Sequence, residues 1–577
     1  MQKFRFIWSA LLICSLLIPS LASAQDGALV GGHPDFDTTA AEEEGYWYSR
    51  YNMSNLTMIS GLGEPFMPDM AMMQQMMQMA DANPNDGDTP MPPMGATLLQ
   101  SIYASADPHF VQTVDMADFA TMRWDPATFD TTVTSAAMGW TIIKEIEWAK
   151  QFHVDNHFGA ADDDFGAQWR FVGMVIVAEA KMQVQYALQM LANEAGLFAN
   201  SDGVIDWPGQ WVMLEAISDL AGALAAPTMP HSNSNRYADP GTAAMFQDAA
   251  DMLFQALTTR QPADIEELSL AAQALTWYAA NTSNADNQTR AVALLAQHAA
   301  ALREATPANA TEDAFVIRGL IEAYRVGGGA SDLDAAARAF GHLAETYVAE
   351  HGVFSTQNVY TVDDVAVIMG ALNALRFYAG DAVDQDQVAL IFTDFYESAV
   401  NMSGLQQSVL PIEVGKDPFE QEDPALFYAY PETPLAPMAG GEFGVAPVFA
   451  TEVTWDGEQW SVSNPRFDSA GAMHAANEFI WFHNDEVDGF PVVTLAAVNA
   501  AAQPADAATD SATSAPEALP VTGGARYIVK PGDSLFRIAR EQLGAGARWQ
   551  EIYELNRTVI GDNARLIHPG QVFVLPE

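Results

Sequence analysis

From about residue 130 to 405, apolar residues recur at spacings of three and four, the period of an amphipathic helix. The pattern predicts helices over 137–152, 169–193, 211–224, 242–258, 265–280, 286–304, 311–326, 332–349, 362–379 and 384–402, split by short breakers such as Gly327-Gly328-Gly329. Residues 404–465 break the period and are rich in Pro, Gly and aromatics. Within them Glu452–Trp455 and Gln459–Val462 flank Asp456-Gly457, a hairpin signal. A last helix is expected over 467–484. Ahead of the helical tract, residues 25–65 read as an irregular lead-in and 67–94 as a methionine-rich stretch. Residues 498–524, all but free of large apolar side chains, read as a flexible tether.

The helices repeat. Asp313, Gly319, Ala323, Arg325 and Gly329 recur 51 residues later as Asp364, Gly370, Ala374, Arg376 and Gly380. A fainter copy lies upstream, where Glu267, Leu275 and Tyr278 match Asp313, Ile321 and Tyr324. Each period holds two helices, so the unit is a helical hairpin that must stack into a solenoid or close into a ring to bury its apolar faces. Ten or eleven helices make five or six hairpins. That number, with the run from Asp332 through Phe354, resembles the (α/α) toroids of the six-hairpin glycosidase superfamily over roughly 130–490. The resemblance implies a mostly α protein with a toroidal domain at 131–497, interrupted by a hairpin near 450–462. An open solenoid of the tetratricopeptide type is the alternative.

The C-terminal pattern is different. Tyr527 and Val529 alternate as a half-buried strand, Gly532 permits a turn and Asp533 is placed to cap a helix. Phe536, Ile538 and Ala539 would face inward, a second helix would start at Trp549 and run to Asn556, and Val572 and Val574 would pair back as a strand. The run from Tyr527 to Ala539, the segment Trp549–Asn556 and the close Ile567–Pro576 resemble the LysM domain family. The resemblance implies a small βααβ fold at 525–577 that binds N-acetylglucosamine polymers, peptidoglycan above all. The family's groove, carried onto this chain, is made by Gly532, Asp533, Ser534 and Leu535 facing Arg565, Leu566 and Ile567. This copy departs from the commonest pattern at Arg557, where many members have proline, and in the longer link Gly544–Arg548.

Lys3 and Arg5, an apolar run from Phe6 to Leu21 and Ala22-Ser23-Ala24 make a secretory signal over residues 1–24. Cys14 would suit a lipoprotein signal only after a small residue, and Ile13 stands there. Cys14 is the sole cysteine, so a chain starting at Gln25 must be stabilised by burial alone. The net charge is −49, carried by the large part: 16 Lys or Arg against 68 Asp or Glu between Gln25 and Ala525, and seven against six from Arg526 onward. Such a surface repels nucleic acid and anionic lipid. With no later run apolar enough to span a bilayer, the expectation is a secreted or periplasmic protein associated with the cell wall.

Candidate chemistry in the large part is sparse. Met67, Met70, Met72, Met73, Met76, Met77, Met79, Met91 and Met94 would offer soft thioethers to Cu(I), but methionine also fills cores, and Met70, Met73 and Met77 share a helical stripe. His153 and His157 sit four apart ahead of Asp162, Asp163 and Asp164 without an HExxH, and read as solvated helix-end side chains. His474, Glu478 and His483 form a similar group, and no metal site or cofactor is expected. Asn200–Asp206 lacks the full calcium-loop pattern and reads as a turn into a helix. A glycosidase would need two carboxylates facing a cleft. The ring-mouth candidates are Asp163, Asp206, Asp364, Glu452 and Asp468, with Trp169, Trp207, Tyr360, Trp455 and Trp460 as aromatic platforms. Asp364 has a simpler role three residues after Thr361, as a helix cap. No catalytic residue is assigned. The reading favours a wall-bound binding or scaffold protein over a polysaccharide-active enzyme, and both over copper handling.

Overall fold

The computed structural model describes residues 29–81, 94–153, 164–407, 443–480, 526–529, 535–543, 549–560 and 572–576, apart from positions 35, 116, 117, 230, 231, 233 and 328. The large body contains α1 (Thr38–Ser54), α2 (Met70–Ala80), α3 (Ser135–Gln151), α4 (Asp164–Tyr186), α5 (Trp207–Ala225), α6 (Pro240–Leu257), α7 (Ile265–Asn281), α8 (Ala285–Arg303), α9 (Ala310–Gly327), α10 (Ala330–Thr346), α11 (Val362–Tyr378), α12 (Gln385–Tyr396) and α13 (Ser469–Glu478).

Burial divides these helices into two sets. α3, α5, α7, α9, α11 and α13 are covered on nearly every face; in α5 all but a few positions from Gly209 to Leu224 are buried. α8, α10 and α12 bury one stripe each, as Ala335, Ala336, Ala339, Phe340 and Leu343 do in α10. A helix apolar or occupied all round belongs inside, and one with a single stripe belongs at the surface.

The inner set is ordered as a ring. α3 packs on α5, α5 on α7, α7 on α9, α9 on α11, α11 on α13, and α13 returns to α3. Each has an outer partner: α4 on α3, α6 on α5, α8 on α7, α10 on α9, α12 on α11 and α1 on α13. Among the described residues six helix pairs therefore follow one another, a neighbour order compatible with an (α/α) toroid. The last pairs two helices from opposite ends of the body.

The helix α1 corrects the expectation of an irregular lead-in over 25–65. Its sequence shows no amphipathic period because it is enclosed on most sides, with Tyr46, Tyr48 and Tyr51 all buried. Gly45 lies where a Cβ would come 3.0 Å from the Phe479 carbonyl oxygen, and Ser49 Oγ donates to the Ala476 carbonyl at 2.8 Å. Arg50 is buried with its guanidinium 4.9–5.5 Å from the rings of Trp169, Trp47, Trp148 and Tyr46, a cation held by aromatic faces.

Short strands launch several inner helices. β1 (Gly63–Pro65), β2 (Leu99–Ala106) and β3 (Asp130–Val133) form an antiparallel sheet. β3 leads into α3 through the Thr134 cap. A short hairpin joins β4 (Tyr347–Val348) to β5 (Val353–Phe354). β6 (Val359–Thr361) runs straight into α11 and pairs with β7 (Glu452–Trp455), which pairs with β8 (Trp460–Asn464). The Asp456-Gly457 turn falls where the sequence puts it, with Gly457 at φ +101°. β9 (Phe467–Asp468) pairs with β2 and feeds α13.

The repeated Arg and Gly positions have common duties. Arg325 lies over the Tyr378 ring at 4.4 Å and Arg376 over Phe392 at 4.3 Å. Gly319 and Gly370 each sit where a Cβ would collide with a neighbour, Leu302 and Glu478 respectively.

Candidate functional site

The first turns of all six inner helices converge on one cavity of about 430 Å³. Its wall takes Ala136 from α3, Asp206 and Gly209 from the start of α5, Glu266 from α7, Thr311 from α9, Asp363 and Asp364 from α11, and Ala470 from α13. One turn deeper, Trp140, Val212, Leu270, Phe315 and His474 form the floor. This layering follows from helical spacing: residues three or four apart on an inner helix face the same axis at successive depths.

Trp140 and His474 are both buried and stack flat, ring centroids 4.3 Å apart and planes 8° from parallel. His474 Nδ1 lies 3.0 Å from Asp363 Oδ1, and the Asp363 side chain is half exposed. Asp364 is held by its surroundings: Thr311 Oγ1 donates to it at 2.8 Å, and it completes the Thr361 capping box. Asp206 precedes α5 without a side-chain capping bond, and its carboxylate lies beside the Gly209 N–H. Asp468, just outside the cavity, accepts from Gly471 N at 2.8 Å as the α13 cap.

The acids crowd one another. Burial, then the neighbouring charges of Asp363 and Asp264, push Glu266 up to about 7. The Glu266 side chain is itself exposed to water at the cavity, so solvent screens part of that push. Burial and then the Asp363 charge raise Asp468 to about 6. Asp206 is raised by burial first, against the lowering Gly209 bond. A carboxyl raised toward neutral pH among other carboxyls is an arrangement used for general acid–base work.

Below the floor the axis is filled by a buried polar network. Arg318 of α9 donates to Glu322 and Glu478 at 2.9 Å each and to Gln273 at 2.8 Å. Lys150 of α3 meets Asp219 of α5 at 3.0 Å. These buried pairs link α3 to α5 and α9 to α7 and α13.

The structure brings Asp206 and Asp364 together at the mouth and sets Asp468 against it. Glu452 lies on β7, accepting from Ser463 Oγ at 2.7 Å, and Asp163 falls outside the described residues. The expected aromatic platforms are elsewhere. Trp169 belongs to the cage around Arg50, Tyr360 is fully buried, Trp207 lies under Arg260, and Trp455 and Trp460 pack on each other in the β7–β8 hairpin. Glu266, Asp363 and Trp140 were not foreseen. Their signal was position: an acid or aromatic in the first two turns of an inner helix.

His153, expected to be solvated, is buried and accepts from Arg236 N at 3.0 Å. His157, Asp162 and His483 fall outside the described residues, and only the backbone of Asp164 is described. Among the described residues no group of three or more His, Cys, Asp or Glu is placed to hold a metal. Asn200–Asp206 is a turn, with Gly203 at φ +89° and Val204 N donating to Asp202. On α2 the expected Met70, Met73 and Met77 stripe is split. Met73 and Met77 pack on the core while Met70 is 67 % exposed. Met72, Met76 and Met79 instead line a cavity of about 240 Å³ with Met174, beside the Lys181–Asp239 ion pair at 2.5 Å.

The C-terminal module has a core of its own, built from Tyr527, Val529, Leu535, Ile538, Ala539, Ile552, Tyr553, Ile560, Phe573 and Leu575. β10 (Arg526–Ile528) pairs antiparallel with β11 (Val572–Val574), Tyr527 opposite Phe573. Between them lie α14 (Leu535–Leu543) and α15 (Trp549–Ile560). Phe573 turns inward and Val572 outward, so the apolar set of β11 is one residue out of step with its valines. Asn556 joins the halves: its Nδ2 donates to the Val574 carbonyl at 2.8 Å, and its Oδ1 accepts from Val574 N at 2.6 Å.

Residues 527–576 match the LysM domain family. No curated protein matches the chain. LysM domains are modules for peptidoglycan- and chitin-type glycans. Of the residues expected to form the LysM groove, Gly532, Asp533, Ser534, Arg565, Leu566 and Ile567 lie outside the described residues. Leu535 is described and belongs to the LysM core, 4 % exposed. Arg557, standing where many LysM domains have proline, is exposed with its guanidinium 5.4 Å from the Tyr553 ring.

Proposed function

We propose that this is an exported cell-envelope protein, tethered by its LysM module to peptidoglycan or a related N-acetylglucosamine polymer, whose helical ring engages saccharide at its carboxylate-lined mouth. The observation that carries the tether is the LysM match over 527–576; the signal over residues 1–24 supports export. Residues 498–524 act as the linker that lets the ring range over the wall. The groove is Gly532, Asp533, Ser534 and Leu535 opposite Arg565, Leu566 and Ile567, with Leu535 contributing from the core side. Retention of the full chain on an immobilised N-acetylglucosamine polymer tests this. Ser534→Glu is expected to abolish retention without lowering the melting temperature, and unchanged retention would place the groove elsewhere.

A second reading, cleavage of a glycosidic bond at the mouth, is favoured by Glu266. Its carboxyl, pushed up to about 7, suits a general acid that protonates a leaving oxygen, with Asp206 or Asp363 as the partner carboxylate. LysM would then concentrate the enzyme on its substrate. Release of new reducing ends from wall glycan, lost in Glu266→Gln, supports cleavage; no release by the unmodified chain leaves the mouth a binding site only.

A further inference from the structure

The wall of the mouth is one-sided in charge. Asp206, Glu266, Asp363 and Asp364 line it, and among the described residues no Lys or Arg does, His474 being the one basic side chain there. The cavity is also a half-open cleft with a built floor, the Trp140–His474 stack, and its volume falls within the ~300–1,000 Å³ of small-ligand pockets. Gathering carboxylates in a place partly stripped of water is unfavourable, and a cation seated among them relieves both the mutual repulsion and the lost hydration. Uronic acids, phosphorylated and sulfated sugars are repelled by the same field. An N-acetyl group brings no charge to answer it.

We infer that the mouth selects a saccharide bearing a free ammonium group, a glucosamine unit of a de-N-acetylated glycan, in preference to its N-acetylated or anionic counterparts. This rests on the reading of the mouth as a saccharide site. Asp363 and Glu266 are the principal contacts for the ammonium: Asp363, which also meets His474 Nδ1, is half exposed on the wall, and Glu266 is an exposed lining residue of the same cavity, within reach of the Asp363 charge. Asp206 lies beside the Gly209 N–H at the start of α5 and Asp364 is engaged by Thr311 and Thr361; both contribute field more than contact. Trp140, buried and stacked on His474, lies at the floor beneath the sugar.

Titration calorimetry on the full chain, with glucosamine tetramer and N-acetylglucosamine tetramer as probes, tests this. Each is measured against the unmodified chain, Asp363→Asn and Glu266→Gln. LysM is unaltered in all three, so its contribution is constant and only the mouth differs. Glucosamine tetramer is expected to lose about tenfold or more in affinity in each variant, the scale of one charge-assisted contact. The N-acetylated tetramer is expected to be unchanged. If instead the N-acetylated tetramer is the one weakened, the mouth remains a saccharide site but its preference is for the neutral sugar, and the inference falls. If neither probe responds to either variant, the saccharide reading of the mouth fails and takes the inference with it. Unchanged melting temperatures establish that the variants are folded. Spermidine serves as a further probe: mouth-dependent binding as tight as glucosamine tetramer would mean that charge alone is read, and would also overturn the inference.

Discussion

Replacing Asn556 by alanine removes a two-way clasp between α15 and β11. The amide donates to the Val574 carbonyl and accepts from the Val574 N–H, and also donates to Ile552 O at 2.7 Å. Alanine leaves both polar groups of the Val574 peptide without these partners beside a small core. An intramolecular hydrogen bond contributes about 1 kcal/mol net, and a buried group left unsatisfied costs about 1–3 kcal/mol. Together the loss is about 2–4 kcal/mol. A core of this size without a disulfide supplies only about 3–5 kcal/mol, so most of the module's margin disappears. Calorimetry of the full chain is expected to show the LysM transition lowered or lost while the transition of the large ring body is unmoved, because the two hydrophobic cores are separate. Retention on N-acetylglucosamine polymer should fall in step. An Asn556→Ala chain whose LysM transition is unchanged would refute the clasp argument.

Three further outcomes follow from the ring. Gly370→Ala puts a Cβ 2.0 Å from a Glu478 carboxylate oxygen and drives that side chain off Arg318; disrupting a buried ion pair costs about 3–5 kcal/mol against about 1 kcal/mol gained in helix propensity. The same change at Gly341, where nothing lies within 4 Å, should stabilise by about 0.5–1 kcal/mol, so equal signs in urea denaturation would count against the axial network. Asp468 ordinarily titrates near 3.8 and is raised to about 6 when folded. Its stabilising share is complete below the unfolded value and is lost as pH rises through the folded one, so Asp468→Asn, which keeps the cap, should gain on the native chain by about 1–2 kcal/mol at pH 8 and not at pH 4. Glu145 and Glu179 are both fully buried and raised well above the ordinary range by burial, with each other's charge adding to it for Glu145. Glu179→Gln should therefore raise the melting temperature more at pH 8 than at pH 5, and a pH-independent effect would contradict the pairing.

The helices were legible because most outer helices bury one stripe and the inner ones are apolar throughout, so the three- and four-residue spacing survived in the sequence. α1 was not, because a segment enclosed by α13, α12 and α3 carries aromatic and polar residues on all sides and shows no period. Nor was the β1–β2–β3–β9 sheet, since β9 joins β2 from more than 350 residues away. At the mouth, Asp206, Asp364 and Asp468 were found by their places at helix starts. Glu266 and Asp363 were missed because which first-turn residue faces the axis depends on how each helix is rotated, and neighbours such as Glu266 and Glu267 differ in this. Glu267 turns to Trp211 and Arg260, while Glu266 turns to the cavity. In the LysM module the two strands and two helices were legible, since its core residues lie in a short stretch; the face of β11 was not, Phe573 rather than Val572 turning inward.

Co-sedimentation with purified peptidoglycan sacculi tests the tether most directly, comparing the full chain with one stopped at Asp510. The full chain should pellet with the sacculi and the shortened chain should stay in solution, since the mouth alone has little affinity for an N-acetylated wall. A shortened chain that pellets as completely as the full one would mean that the ring, and not LysM, holds this protein to the glycan.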